Sequence, residues 1–263
     1  MPTDTQARLR RLLQDLLTPA ILPALVLTGC LGVTALLWQS AAADAEQEAQ
    51  ADFDGRVREL VNNLDQRMQT YVQALYGVQG LFASSDHVDR GEFATYLNGQ
   101  DLNHHFPGIH GVGYIQFVGQ HQLEEHEAIV RRGGFPSYRV FPAAELPWHA
   151  PIVYLEPFTE NNRRAFGFDT AAEPHRRTAL EQARDSGLPT MSAKIRLVQE
   201  TGVREQSGFL MVLPVYNRPQ PLATLAQRRA AINGWVYAPF RIGDLMAGLG
   251  GPRAAALDVE IYD

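Results

Sequence analysis

Residues 20–38 read AILPALVLTGCLGVTALLW, an uncharged apolar run close to the ~20 residues that cross a bilayer. The rest of the chain, 45% hydrophobic overall, mixes apolar and polar residues as an ordinary globular domain does. Its flanks set an orientation. Arg8, Arg10 and Arg11 precede the run, whereas Asp44, Glu46, Glu48, Asp52 and Asp54 follow it before the first base, Arg56. Basic residues stay on the cytoplasmic side, which predicts that residues 40–263 face the periplasm or the cell exterior. Ser40-Ala41-Ala42-Ala43 resembles a signal-peptide cleavage site, but such a peptide has an apolar core of only about 7–15 residues. An uncleaved signal anchor in the inner (plasma) membrane is the better expectation.

Cys30, the only cysteine, lies inside this run, so no intramolecular disulfide is possible and an exported domain must hold together by its core. A net charge of −6 argues against nucleic acid as a partner.

No proline occurs between Pro23 and Pro107, which permits a long helix after the membrane run. Phe53, Val57, Leu60, Val61, Leu64, Met68, Tyr71, Val72, Leu75, Val78 and Phe82 recur at steps of one, three or four and predict one apolar stripe over residues 40–83. At 1.5 Å per residue such a helix is roughly 60 Å long, longer than a small domain is wide. It suits a stalk packed partly on its own domain and partly on a second copy, making a homodimer. Asp89-Arg90-Gly91-Glu92 has capping-box spacing and opens a shorter helix that should stop near Gly99. Strands are expected at 111–118, 152–155, 194–198, 209–216, 234–240 and 259–262. Helices are expected from Pro174 to Gly187 and over 242–249. Strands with segregated helices imply an α+β domain built on an antiparallel sheet. The last residues look like a strand just begun, the front part of a longer protein.

Little points to catalysis. No G-x-S-x-G elbow, catalytic cysteine or phosphate-binding glycine loop is present, and Gly111-Val112-Gly113 lacks a third glycine. His104, His105 and His110 are the most metal-like cluster, the basis of an alternative as an exported metal-binding protein or enzyme. They have no converging second motif, and the neighbouring Pro107-Gly108 marks a turn. His121 and His126, with Glu124, Glu125 and Glu127, read as a polar helix face. No cofactor, metal or catalytic residue is expected in this segment.

One ordered set of short motifs is specific: Tyr154-Leu-Glu-Pro-Phe158, Asn161-Asn-Arg163, Gly167-Phe-Asp169, Pro174-His-Arg-Arg177, Ala179 to Gly187, Leu197-Val-Gln-Glu200, Gly208 to Tyr216 and Gly234 to Arg241. Glu92-Phe93 and Phe106 to Tyr114 precede them. Together they resemble the CHASE domain, the extracellular sensory module of membrane histidine kinases and nucleotide cyclases, in a bacterial member. The resemblance implies a cytoplasmic N-terminus (1–19), membrane helix (20–38), stalk (40–83), membrane-distal PAS-like sensor unit (84–242) and the start of a membrane-proximal unit (243–263). It implies a small-molecule ligand, in some members adenine-like, and a cytoplasmic histidine kinase or diguanylate cyclase as output. Asp169 falls where plant members hydrogen-bond the ligand; its alternative role is to cap the helix near Pro174. Met191, Trp235, Ala238 and Thr201 match other ligand-side positions. Phe168 and Thr170 depart from the plant pattern around Asp169.

Overall fold

The computed structural model describes residues 8, 21–101, 106, 108–200 and 206–247. The chain divides into two compact units, Met1–Glu59 and Leu60–Asp263. Helix α1, Ile21–Ser84, contributes to both. The membrane run and the stalk expected at 20–38 and 40–83 are therefore one uninterrupted helix.

In the first unit α1 carries an 18-residue window of mean hydropathy 2.1 with none of it buried, the one helix among the described residues long and apolar enough to cross a membrane. Leu36, Leu37 and Trp38 are all exposed. Thr28 and Thr34 turn their hydroxyls back onto the Ala24 and Cys30 carbonyls at 2.8 Å. Polar groups are thus satisfied inside the helix, as lipid requires.

The second unit opens with the end of α1, then α2 (Arg90–Asn98). The capping box at its start is present, Asp89 accepting from Glu92 N at 2.8 Å and Glu92 accepting from Asp89 N at 3.0 Å. β1 (Val112–Gln116), β2 (Val118–Gly119), α3 (Leu123–Arg132), β3 (Trp148–His149), β4 (Ile152–Glu156) and α4 (Glu160–Arg163) follow. Then come α5 (Pro174–Ser186), β5 (Thr190–Met191), β6 (Ile195–Arg196), β7 (Ser207–Tyr216), α6 (Leu225–Ala231), β8 (Ile232–Arg241) and α7 (Ile242–Met246). The main sheet is ordered β4-β1-β8-β7-β5, with β6 also on β7, and every pairing is antiparallel. This is the expected α+β architecture. The strand expected at 259–262 lies outside the described residues, as does the end of the helix expected over 242–249.

The pleat of β7 and β8 sorts side chains between two cores. Met211, Leu213, Val215, Val236, Ala238 and Phe240 face one core with Tyr71, Leu75 and Val78 of α1 and Phe93 and Leu97 of α2. Leu210, Val212, Trp235 and Tyr237 face the other with Ala179, Leu180 and Ala183 of α5. Polar ties fasten α1 to the sheet and to α7: Gln79 Nε2 donates to the Pro214 carbonyl of β7 at 2.6 Å, and Arg67 Nη1 to the Leu245 carbonyl of α7 at 3.0 Å. At the end of α5, Gly187 adopts φ 79°, the left-handed cap that glycine takes without steric cost.

The sequence did not announce α6, although Thr224 and Gln227 form a capping box, because its apolar face is too short to show a period. β3 and β5 are two residues each and likewise leave no alternation to read.

Leu75 is fully buried between α1 and the sheet. Leu75→Ala should lower unfolding stability by about 2–5 kcal/mol, measured by urea or thermal unfolding of the full chain.

Candidate functional site

The sheet face under α5 carries the site. Its floor is β8 and β7, its wall the segment from Ala165 to Thr170, and its roof the first turn of α5. The cavity there is small, about 10 Å³, and is lined by Phe168, Thr170, Arg176, Leu197, Leu210 and Tyr237 among others. That volume holds about one water. Thr170 and Tyr237 are 0% and 1% exposed, yet neither hydroxyl has a hydrogen-bond partner among the described residues. Buried polar groups without partners are rare because each costs about 1–3 kcal/mol. Two of them meeting at one cavity mark a place built for something polar.

Arg176, 5% exposed, completes the cluster. It lies in the first turn of α5, where Pro174 suits the opening position and Glu173 caps the backbone amides of His175 and Arg176 at 3.1 and 3.0 Å. Its guanidinium donates to the Arg196 carbonyl at 2.6 Å and stacks 4.8 Å from the Phe168 ring centroid. Burial lowers its pKa, with Glu173 and Tyr237 acting the other way. Tyr237 is raised by burial, which the Arg176 charge partly offsets. The Tyr237 ring has its room from Gly113 on β1: a Cβ there would lie 2.4 Å from both Tyr237 Cε1 and the Tyr154 carbonyl oxygen. The glycine pair that fails as a nucleotide loop thus has a packing reason at Gly113.

Of the five residues expected at a ligand site, the four that the structure describes are not brought together. Asp169 is 0% exposed and its carboxylate is already engaged: Oδ1 accepts from Ala150 N at 2.8 Å and Ala171 N at 3.1 Å, and Oδ2 lies 2.7 Å from His149 Nδ1. His149 Nε2 is in turn 2.5 Å from Gln120 Oε1. Asp169 caps the 3-10 turn Thr170–Ala172, whereas the cap of α5 is Glu173. Trp235, 0% exposed, spends its Nε1 on the Leu180 carbonyl at 3.0 Å. Ala238 packs in the opposite core, because three residues along a strand reverse the face. The residue that shares the Trp235 face is Tyr237, and period-two counting would have found it. Met191 is 55% exposed on the edge strand β5, and Thr201 lies outside the described residues.

Of the histidine cluster, His104 and His105 lie outside the described residues, and His110 Nε2 pairs with Asp244 Oδ2 at 2.8 Å. No group of three or more His, Cys, Asp or Glu residues placed to hold a metal occurs among the described residues.

Two larger hollows exist in the same unit. One of about 790 Å³ lies between Phe82–Arg90, β1 and α3, but its polar rim of Asp86, His87, Gln122, Glu125 and Asn217 is exposed and served by water. Another, about 510 Å³, is lined by Phe135, Tyr138, Phe158 and Phe166. Arg90 sits 4.6, 4.7 and 4.9 Å from the Phe135, Phe158 and Phe166 centroids and donates to the Val153 carbonyl at 2.6 Å. It clasps these loops to α2.

With this geometry in view, a family profile for the CHASE domain matches residues 86–263. The chain belongs to the CHASE-domain family. No characterised protein matches it in sequence. CHASE domains are extracellular sensory domains of signalling proteins, so this chain carries a sensor, and its long apolar N-terminal helix is compatible with a membrane anchor.

His126 corrects the polar face expected on α3. It is 6% exposed, and Nε2 lies 3.0 Å from the Tyr138 hydroxyl. Burial pushes its pKa from 6.5 down to about 4. The unfolded chain therefore takes up this proton first, and its contribution to stability, full above pH 6.5, falls as pH drops towards 4. His126→Gln should flatten the loss of stability over that window, a difference of up to ~3 kcal/mol in urea unfolding at pH 4 against pH 7.

Proposed function

We propose that this protein is a membrane-anchored extracytoplasmic receptor, in which the Thr170–Arg176–Tyr237 cavity binds a small molecule and α1 carries the response towards the membrane. The observation that carries this reading is the convergence of two unpartnered buried hydroxyls and a buried guanidinium on one cavity. A domain selected for stability alone would fill such a place with apolar side chains. The Phe168 and Thr170 departures from the plant pattern are then part of the site.

β8 supplies a physical route. Tyr237 faces the cavity, and its strand neighbours Val236 and Ala238 face the core that α1 helps to build. Phe240 of the same strand lies 4.9 Å from the Tyr71 ring of α1. A ligand shifts a sensor only as far as its affinities for two arrangements differ. Reorientation of Tyr237 on binding is such a difference, delivered to a strand packed on the stalk.

The remaining features follow the family. The arginines before the apolar run support a sensor on the periplasmic or extracellular side of the inner (plasma) membrane. α1 pairs with a second copy as a dimeric stalk, and a histidine kinase or diguanylate cyclase on the cytoplasmic side receives the signal. An adenine-like ligand held by Asp169 would first have to displace His149, so the proposal rests on the neighbouring hydroxyls instead.

Thr170→Val and Tyr237→Phe remove the unpartnered oxygens while keeping shape. The double variant should unfold at higher temperature than the parent, by a stabilisation of about 1–3 kcal/mol, and lose thermal stabilisation by any ligand found in a small-molecule screen. A lower melting temperature with ligand response intact overturns the assignment. Separately, a reporter fused after Asp263 should be active outside and silent in the cytosol; the reverse pattern overturns the topology.

A further inference from the structure

We infer that the ligand of this cavity is anionic, a carboxylate-bearing small molecule or a small inorganic anion, with its charge seated on Arg176. This rests on the cavity being the ligand site and adds the chemical class.

Arg176, 5% exposed, carries a buried charge that no carboxylate meets in a direct ion pair among the described residues. Glu173 is close enough to act on it, but its two oxygens are occupied by the His175 and Arg176 amides. What Arg176 has instead is one carbonyl, Arg196, and the face of Phe168. Neither cancels a charge. A buried cation is costly unless paired, and breaking such a pair leaves the survivor severely penalised. The partly buried Arg241 elsewhere in this domain follows that rule, with Glu200 at 2.8 Å.

The hydroxyls sharpen the class. Thr170 Oγ1 and Tyr237 OH each donate one hydrogen bond and, beside a guanidinium that only donates, form a donor-rich lining. Arg with two hydroxyls offers donors to a species that only accepts. A carboxylate or halide is such a species, and charge-assisted bonds from guanidinium and hydroxyl are the strong kind. A neutral amide accepts only through an uncharged carbonyl oxygen and brings surplus donors, and an ammonium would be repelled by the guanidinium. The remaining lining, Ile152, Ala165, Leu197, Val198 and Leu210, is apolar except for the Gln199 amide, which raises the value of each charged contact and leaves room for a short hydrocarbon body only if side chains yield. At about 10 Å³ the cavity as it stands accepts one atom of water size, so the anionic end enters first.

The test is thermal unfolding of the full chain in nanodiscs, with buffer ions held constant. The probes are acetate, succinate and chloride, matched by acetamide and succinamide. Saturable stabilisation by at least one anion and by neither amide is expected. Acetate or succinate without chloride identifies an organic carboxylate as the source, and chloride alone a simple anion; both support the class. Thr170→Val/Tyr237→Phe should weaken the response about tenfold or more while keeping the cation. Arg176→Gln should abolish it; if that variant does not fold, the double variant decides. Stabilisation by amides that is lost in the double variant but kept in Arg176→Gln overturns the anionic class and leaves the receptor reading standing. No response to any probe or to a wider screen, with the double variant merely destabilised, means the cavity holds a structural water, and both readings fall.

Discussion

The antiparallel ladder between β7 and β8, running from Gly208–Arg241 to Tyr216–Ile232, is the constraint on which the rest of the sensor unit depends. Backbone hydrogen bonds fix the two strands side by side, and the pleat then sends alternate residues to opposite faces. One face is given to α1 and α2, the other to α5 and the cavity. A one-residue slip would exchange Tyr237 for Val236 and place a phenol against the stalk. The register that holds the core together is therefore also the register that positions the site.

Polar groups under α5 divide into two sets. Asp169, His149 and Gln120, with the Ala150 and Ala171 amides, form a closed network in which the aspartate charge is matched on all sides. One residue further along, the Thr170 hydroxyl finds no partner among the described residues, nor does that of Tyr237, which lines the same cavity. Closed networks make a structure rigid and specific, whereas open ones store an unmet demand. The first set holds the Phe168–Ala172 turn in place; the second is held by that turn against β8. Arg176 belongs to the second set because the Glu173 oxygens bond the helix amides and act on its guanidinium only through space.

The long helix was legible because eleven apolar positions keep one stripe and no proline intervenes, and the strands because β-branched and aromatic residues cluster in short runs. The Asp89–Glu92 capping box and the Gly187 stop depend on local chemistry and were legible for that reason. Short elements such as β3, β5 and α6 were not, since periodicity needs length. Family resemblance pointed to the carboxylate of Gly167-Phe-Asp169, which the structure shows already engaged, whereas the adjacent Thr170 hydroxyl is left without a partner among the described residues. Trp235 and Ala238 share a motif, yet a strand's twofold alternation puts them in different cores. His126, with glutamates on either side, reads as solvated; Tyr138, which covers it, lies 12 residues further on, beyond any local helical pattern, and arrives only when the loop folds back.

By itself the sequence determined the apolar run, the α+β class, the long helix and the CHASE family, because hydrophobic periodicity, capping chemistry and motif order are properties of neighbouring residues. Only the tertiary structure decided which polar side chains are satisfied. Whether Asp169, Thr170, Arg176 or Tyr237 has a spare hydrogen bond or an unmatched charge depends on groups tens of residues away, and long-range pairing is what a linear pattern does not contain.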